Sequence, residues 1–453
     1  MLERTIRRLL DTFASRPRAL AWLLAGLLAP ATAAAQTPLS LDDAMRRARE
    51  AHTDARAADA TVREATEGVS VAGSAFYPTV DVVQSWQRGN QPVFVFGSLL
   101  AQRRFTAQNF AIGALNHPGA VNNYRSAVVV EQQLFDGGLT RAAVDGATLG
   151  RDMAEATRAR LRQDLAIAAA LAYTRVAHLS AVEEARRHAV EAAESDAARA
   201  RERRDAGVVT EADVLSAGVH AARTRADLLE TTGDLVVARA ELNQAIGAPL
   251  DARFDVMLLE PPRPSQEDLG ALEQEALAAR PEARETLIAS ALAANGARRA
   301  RAAYLPQVGL QGGVETNGST LAGPASSWVM GVEVRLNLFR GFADRARVAA
   351  ARESETRQDA ERDGVERAIR LDVRSAVTRL GTARARVDVG QAALEQARES
   401  QRILRDRYEN GRATMTDVLE AARAVSQAEA DAIAARVDVV LRAVALDRAR
   451  GRL

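Results

Sequence analysis

Asp417 and Glu420 are two carboxylates three positions apart in the run Thr414-Met-Thr-Asp-Val-Leu-Glu420, a spacing that places both on one face of a helix. They are the most suggestive acidic pair in a chain otherwise poor in chemical groupings. The five histidines, His52, His117, His178, His188 and His220, form no HExxH or other ligand spacing and read as helix-surface residues. Neither a GxSxG elbow nor a phosphate-binding glycine loop occurs. The chain contains no cysteine, which excludes disulfides, thiolate metal sites and a lipid-modified N-terminal Cys. An enzyme is therefore not expected, nor a metal or cofactor. Asp417 already has a structural explanation. Gly411 stops one predicted helix, Thr414 caps the next, and Asp417 stands three residues after Thr414. Gly207, Thr210 and Asp213 repeat the pattern, so both segments read as tight helix hairpins. Glu420 has no such explanation.

The two hairpins belong to a duplication. VVVEQQLFDGG, ending at Gly138, returns as VEVRLNLFRGF, ending at Phe342, and Gly207 to Leu215 returns as Gly411 to Leu419 at the same offset of 204. No insertion interrupts the seventy-odd residues between these markers, as expected of a continuous helix packed along a partner. Each half has the same predicted order. Ala-rich helices at 41–75 and 269–303 end at Tyr77-Pro78 and Leu305-Pro306, because proline cannot continue a helix. Strands follow, then long helices at 139–206 and 342–410, then shorter ones at 211–247 and 415–450. Leu161, Leu165, Ala168, Ala172, Val176 and Leu179 step by three and four, as do Val365, Ile369, Val373, Val377 and Leu380,. At ~1.5 Å per residue such helices are rods of ~100 Å, and the two shorter helices of a half, end to end, match the long one.

The strands alternate. In Gln307 to Val314, Val308, Leu310 and Val314 oppose Gln307, Gly309, Gln311 and Gly313; from Trp328 to Phe339 the even positions are apolar, while Gly331, Glu333, Arg335 and Asn337 are odd,. Val80, Val82 and Trp86 against Asp81 and Ser85, and Tyr124, Val128 and Val130 against Arg125 and Glu131, do the same less cleanly. Thirteen of the eighteen Phe, Tyr and Trp fall within 76–135 and 304–342, only 99 of 453 positions, where interfacial girdles would stand. A small soluble β-sandwich accounts for strands of this kind, but not for rods of that length beside an export signal. Four strands cannot close a barrel. Several copies must therefore share one sheet, and three would supply twelve strands.

Residues 1–35 look like an export signal: Arg4, Arg7, Arg8, Arg16 and Arg18 precede the apolar LAWLLAGLL and an Ala-rich cleavage stretch ending at Ala35,. No later apolar run approaches a spanning helix in length, so entry into a membrane requires a barrel. The formal charge of +1 gives no footprint for nucleic acid.

Taken together, these features resemble the TolC family of outer-membrane efflux channels over essentially the whole mature chain. Leu39-Ser-Leu-Asp-Asp-Ala-Met45 is similar to that family's first helix. Leu242-Asn-Gln-Ala-Ile-Gly-Ala-Pro249 and Arg280-Pro281-Glu282 are similar to its inter-repeat joints, and Tyr408 to Glu420 to its periplasmic tip. The resemblance implies a mostly α protein with a transmembrane β part. It also implies a homotrimer whose twelve-stranded β-barrel, four strands per chain, continues as a long α-helical periplasmic barrel. Residues 36–453 would form one protomer of two repeats, 36–250 and 262–453, with membrane strands within 77–136 and 305–340. The implied function is a passive exit duct of a tripartite efflux pump, working with a periplasmic adaptor (membrane fusion protein), an inner-membrane transporter and outer-membrane lipid. A protein-secreting type I duct is a close alternative, and a secreted coiled-coil structural or adhesive protein a distant one. In such a setting the sequon-like Asn317-Gly-Ser is a chance match. The matching positions make Asp417 and Glu420 the periplasmic gate and Tyr408 and Asp213 a tip latch. The family's companion arginine falls at Ala413, so either the latch is lost here or Arg412, one place earlier, substitutes. Gly207, Val208, Val209, Gly411, Arg412 and Ala413 become the surface that meets the adaptor. The first inter-strand connection is longer than the second by 24 residues; it is expected outside the cell, folded over the mouth or packed on a neighbour.

Overall fold

The computed structural model describes residues 37–256, 268–322 and 325–453, so the predicted export signal lies outside the described residues. The first half contains β1 (Thr37–Leu39), α1 (Leu41–Ala51), α2 (Thr53–Gly73), β2 (Thr79–Gly89), α3 (Pro92–Ala101), α4 (Ile112–Asn116), β3 (Val121–Phe135), α5 (Leu139–Asp205), α6 (Glu211–Ala245) and β4 (Phe254–Val256). The second contains α7 (Leu269–Ala279), α8 (Pro281–Ala302), β5 (Gln307–Gly318), β6 (Ala325–Arg335), α9 (Ala343–Glu409) and α10 (Met415–Ala449). α5 and α9 are each 67 residues long, and α6 and α10 each 35.

Small residues bring these rods together. Ala44, Ala48, Ala166, Ala169 and Ala238 are fully buried and surround Tyr173 and Leu242, so helix backbones approach closely with little side-chain entropy lost. One 18-residue window of α5 reaches a mean hydropathy of 1.5, as a membrane span would, but half of it is buried against neighbouring helices. It is core.

The helices expected at 41–75 and 269–303 are each divided. At His52 the backbone is extended (ψ 143°) and the ring Nδ1 accepts from the Asp54 amide at 3.2 Å, which caps α2. At Arg280, Pro281 begins α8, and the buried guanidinium donates to Glu282 at 2.8 Å and to Asp372 of α9 at 3.0 Å.

The four longer strands form one antiparallel sheet in the order β2-β3-β5-β6. Its even face carries Val82, Trp86, Val314, Trp328, Met330, Val332 and Val334. Trp328 is 78% exposed and Val82 79% exposed, so this apolar face has no cover among the described residues. β6 ends at Arg335 rather than Phe339, because Asn337 turns its amide to the Asp344 carboxylate (3.0 Å) at the start of α9. The strand-to-helix weld of the first half is equally local. Asp136 accepts from the amides of Gly138 (2.9 Å) and Thr140 (2.6 Å). Gly137, at φ 68°, sits where a Cβ would lie 2.7 Å from Leu305. The protomer exposes 29488 Å², well above the roughly 17,000 Å² of a compact monomer of this size.

Candidate functional site at the helical tip

At the end of the rods remote from the sheet, the chain turns twice. Gly207 (φ 76°) and Gly411 (φ 70°) take the left-handed conformation that ends a helix,. Val208 then donates its amide to the Arg203 carbonyl at 2.9 Å, and Arg412 donates to Arg407 at 2.7 Å. Both capping boxes form. Asp213 Oδ2 accepts from the Thr210 amide at 3.0 Å, and Asp417 Oδ2 from the Thr414 amide at 2.8 Å, while each threonine hydroxyl accepts in return from the amide of its aspartate. The backbone and side-chain hydrogen bonds from Thr414 hold the Asp417 carboxyl below its ordinary value of 3.8, so it is fully ionised near neutrality.

Glu420 lies one turn further along α10, exposed and, among the described residues, without an ion pair. It shares a cleft of about 320 Å³ with Leu215, Ser216 and Val219 of α6 and with Arg423. Leu215 and Val219 are themselves exposed. Beneath the cleft, α5, α6, α9 and α10 meet in a small core of Ala197, Ala200, Val214, Ala217, Met415 and Leu419, with Tyr408 against it. The two hairpins therefore form one tip.

The expected latch is not made within the protomer. The Tyr408 hydroxyl is buried and has no hydrogen-bond partner among the described residues, while the Asp213 carboxylate is engaged by Thr210. The Tyr408 ring instead lies under Arg203, whose Cζ is 4.9 Å from its centroid. Burial pushes the phenol pKa up. Arg412 stays exposed and Ala413 half-buried, while Gly207, Val208 and Gly411 stand at the exposed extremity and Val209 is partly covered.

Sequence reasoning missed the ties that join the two halves above the tip. Asp196 of α5 accepts from Arg405 of α9 at 2.8 Å and from Arg199 at 3.0 Å. Arg204 bridges across its own turn to Glu211 at 2.8 Å. His178 and His220 are half-buried rather than fully exposed: each has a buried Nδ1 with no partner among the described residues, and burial lowers the pKa of both rings. Among the described residues, no cluster of His, Asp or Glu has the geometry of a metal site.

The family model for outer membrane efflux proteins matches residues 44–248 and 272–452. The chain is 26% identical over 402 residues to the outer membrane efflux protein BepC of Brucella suis, spanning 87% of this chain and 81% of that one. It is 30% identical over 373 residues to protein CyaE of Bordetella pertussis, spanning 78% and 74%. Its fold is similar to that of the outer membrane protein VceC from Vibrio cholerae, with a TM-score of 0.75 at 20% identity over 91% of this chain and 96% of that one. It is also similar to the open state of the MtrE outer membrane channel of Neisseria gonorrhoeae, with a TM-score of 0.72 at 18% identity over 91% and 88%.

Proposed function

Because this chain belongs to the outer membrane efflux protein family, we propose how an outer-membrane exit duct is assembled from it: three copies join edge to edge into a single twelve-stranded barrel. The supporting observation is the sheet. Its outer strands β2 and β6 each leave one edge unpaired among the described residues and run antiparallel to each other, so β6 of one copy continues the ladder to β2 of the next. Closure removes both free edges. It also sets the exposed face of Trp328, Met330, Val332 and Val334 against outer-membrane lipid and the odd face of Gln311, Glu315 and Arg125 towards water.

The helices then continue the wall as a tunnel into the periplasm, and the tips close it. Threefold symmetry brings six carboxylates, Asp417 and Glu420 from each copy, to one narrow ring. Such a ring favours cations and resists anions until the helices part. Gly207, Val208, Val209, Gly411, Arg412 and Ala413 project beyond the caps and form the surface offered to a periplasmic adaptor, which links the duct to an energised inner-membrane transporter. Transport through the duct is passive, so substrate choice rests with that transporter. Tyr408 anchors the tip by packing under Arg203.

Planar-bilayer recording tests this. The purified trimer should give small, cation-selective channels, enlarged in Asp417→Ala/Glu420→Ala. Unchanged conductance would remove the gate assignment, and a mature chain that stays monomeric and soluble without detergent would remove the duct itself.

A further inference from the structure

The polar face of the sheet is not bare at its outer end. Between β2 and β3, residues 90–120 fold as α3, a 3-10 turn (Ala107–Phe110) and α4, whereas only six residues separate β5 from β6. Phe96, Phe105 and Phe110 pack edge to face, with centroids 4.6 and 5.0 Å apart, and give the insert a small core of its own. It is a built element.

Its seat is specific. Gln102, 5% exposed, donates through Nε2 to the Asn122 carbonyl at 2.7 Å and to Asn123 Oδ1 at 3.0 Å. Asn123 donates to Asn317 Oδ1 at 3.0 Å, and Asn317 donates to Glu315 Oε1 at 3.0 Å. Arg103 reaches the Ser326 carbonyl at 2.9 Å. Asn123, Glu315 and Asn317 all have odd numbers, and Asn317 is only 2% exposed. The insert therefore covers the polar face and leaves the even face, with Trp86 and Trp328, open.

On the duct reading, on which this inference rests, the polar face is the lumen. We propose that the insert is an inward-folded collar that forms a second restriction at the outer mouth, where Arg103 and Arg104 draw in anionic solutes locally while the tip ring sets the cation selectivity of the whole duct. A barrel of twelve strands encloses only a modest lumen, between the side-chain-filled eight and the open channel of sixteen, and three collars enter it together. Residues 90–120 contain no Asp or Glu. Arg103 and Arg104 are exposed, so three copies place six guanidinium groups at the mouth, a ring of the kind that favours anions.

The absence of cysteine allows a direct test. Gln311→Cys, on the odd face deeper in the barrel, is labelled from outside in intact cells. Reagents are a small anionic thiosulfonate, a small cationic one and a bulky polyethylene-glycol maleimide. The bulky reagent should react about tenfold faster when residues 91–120 are replaced by a short turn, as expected on removing a steric constriction. Equal rates would overturn the collar. In case the shortened chain does not assemble, Arg103→Gln/Arg104→Gln in the full-length protein should lower the anionic-to-cationic labelling ratio several-fold. An unchanged ratio would overturn the charge assignment. If neither small reagent labels Gln311→Cys in any variant, the odd face is not water-filled, and the duct reading falls together with the collar.

Discussion

The two tip hairpins share a backbone and differ in chemistry. Gly207 and Gly411 make the same left-handed turn, and Thr210–Asp213 and Thr414–Asp417 close the same capping box. Around that frame almost every side chain changes. At the offset of 204, Glu420 faces Ser216, Tyr408 faces Arg204, Arg412 faces Val208 and Arg423 faces Val219. What both hairpins keep is what the fold needs at a helix end. What only one keeps is free of that requirement, and Glu420 is the clearest case, since Ser216 occupies the equivalent place in the same cleft. Asp417 serves both purposes: it is a cap by its bonds and, as we propose, part of the gate by its position.

The largest effect should come from removing both acidic groups of the second hairpin. Asp417→Ala/Glu420→Ala should raise single-channel conductance several-fold and reduce cation selectivity, read as a shift of reversal potential in a salt gradient. Glu420→Ser alone, which makes the second hairpin like the first, should give part of the increase with no loss of trimer stability, because its carboxylate supports no ion pair among the described residues. The reciprocal Ser216→Glu should lower conductance and strengthen cation preference. If Ser216→Glu and Glu420→Ser change conductance in the same direction, the contrast between the hairpins is not electrostatic.

The shared frame predicts an equal response. Thr210→Ala and Thr414→Ala each delete one capping box, at a cost of about 1 kcal/mol. Hydrogen exchange of the first-turn amides of α6 and α10 should accelerate about fivefold in each case. A large effect at one hairpin and none at the other would mean that contacts between copies, not the caps, hold that tip. Tyr408→Phe should leave tip stability unchanged or slightly raised, because it removes a hydroxyl that is buried without a partner among the described residues,. A clear loss of stability together with larger conductance would locate a bond from that hydroxyl to another copy.

Much of this was legible in the sequence. An ungapped duplication can only be a rod, so helix lengths followed to within a few residues. Capping residues at fixed spacing announced both hairpins, and even-odd alternation announced the sheet. The failures had local causes. His52 breaks a helix because its ring nitrogen captures the Asp54 amide, which no propensity foresees. Arg335 ends β6 because Asn337 prefers a carboxylate seven residues away to the ladder. The Asp196–Arg405 tie joins residues 209 apart, and only the packed rods reveal which turns coincide. The odd-face seat of the insert was equally hidden, since it depends on the single side chain of Gln102 reaching between two strands.

The smallest effect concerns pH and again separates the hairpins, for His220 in the first corresponds to Ala424 in the second. Burial lowers the His220 pKa from its ordinary 6.5, Arg423 and Arg223 lower it further, and Asp196 and Asp227 oppose them. Below 6.5 the unfolded chain takes up a proton that the folded tip refuses. Stability therefore falls as pH drops from 6.5 through the lowered folded value, and levels off beneath it. Asp417 acts in a separate window: its stabilisation holds above 3.8 and is lost only as pH falls through its lowered folded value,. His220→Gln should thus flatten the pH dependence of thermal unfolding just below 6.5 and leave it unaltered above 7.5, about one unit clear of the titration. Asp417→Asn should do the reverse, changing the strongly acid range alone. If His220→Gln leaves the slope below 6.5 intact, His220 is not the group that makes the tip acid-sensitive in that window.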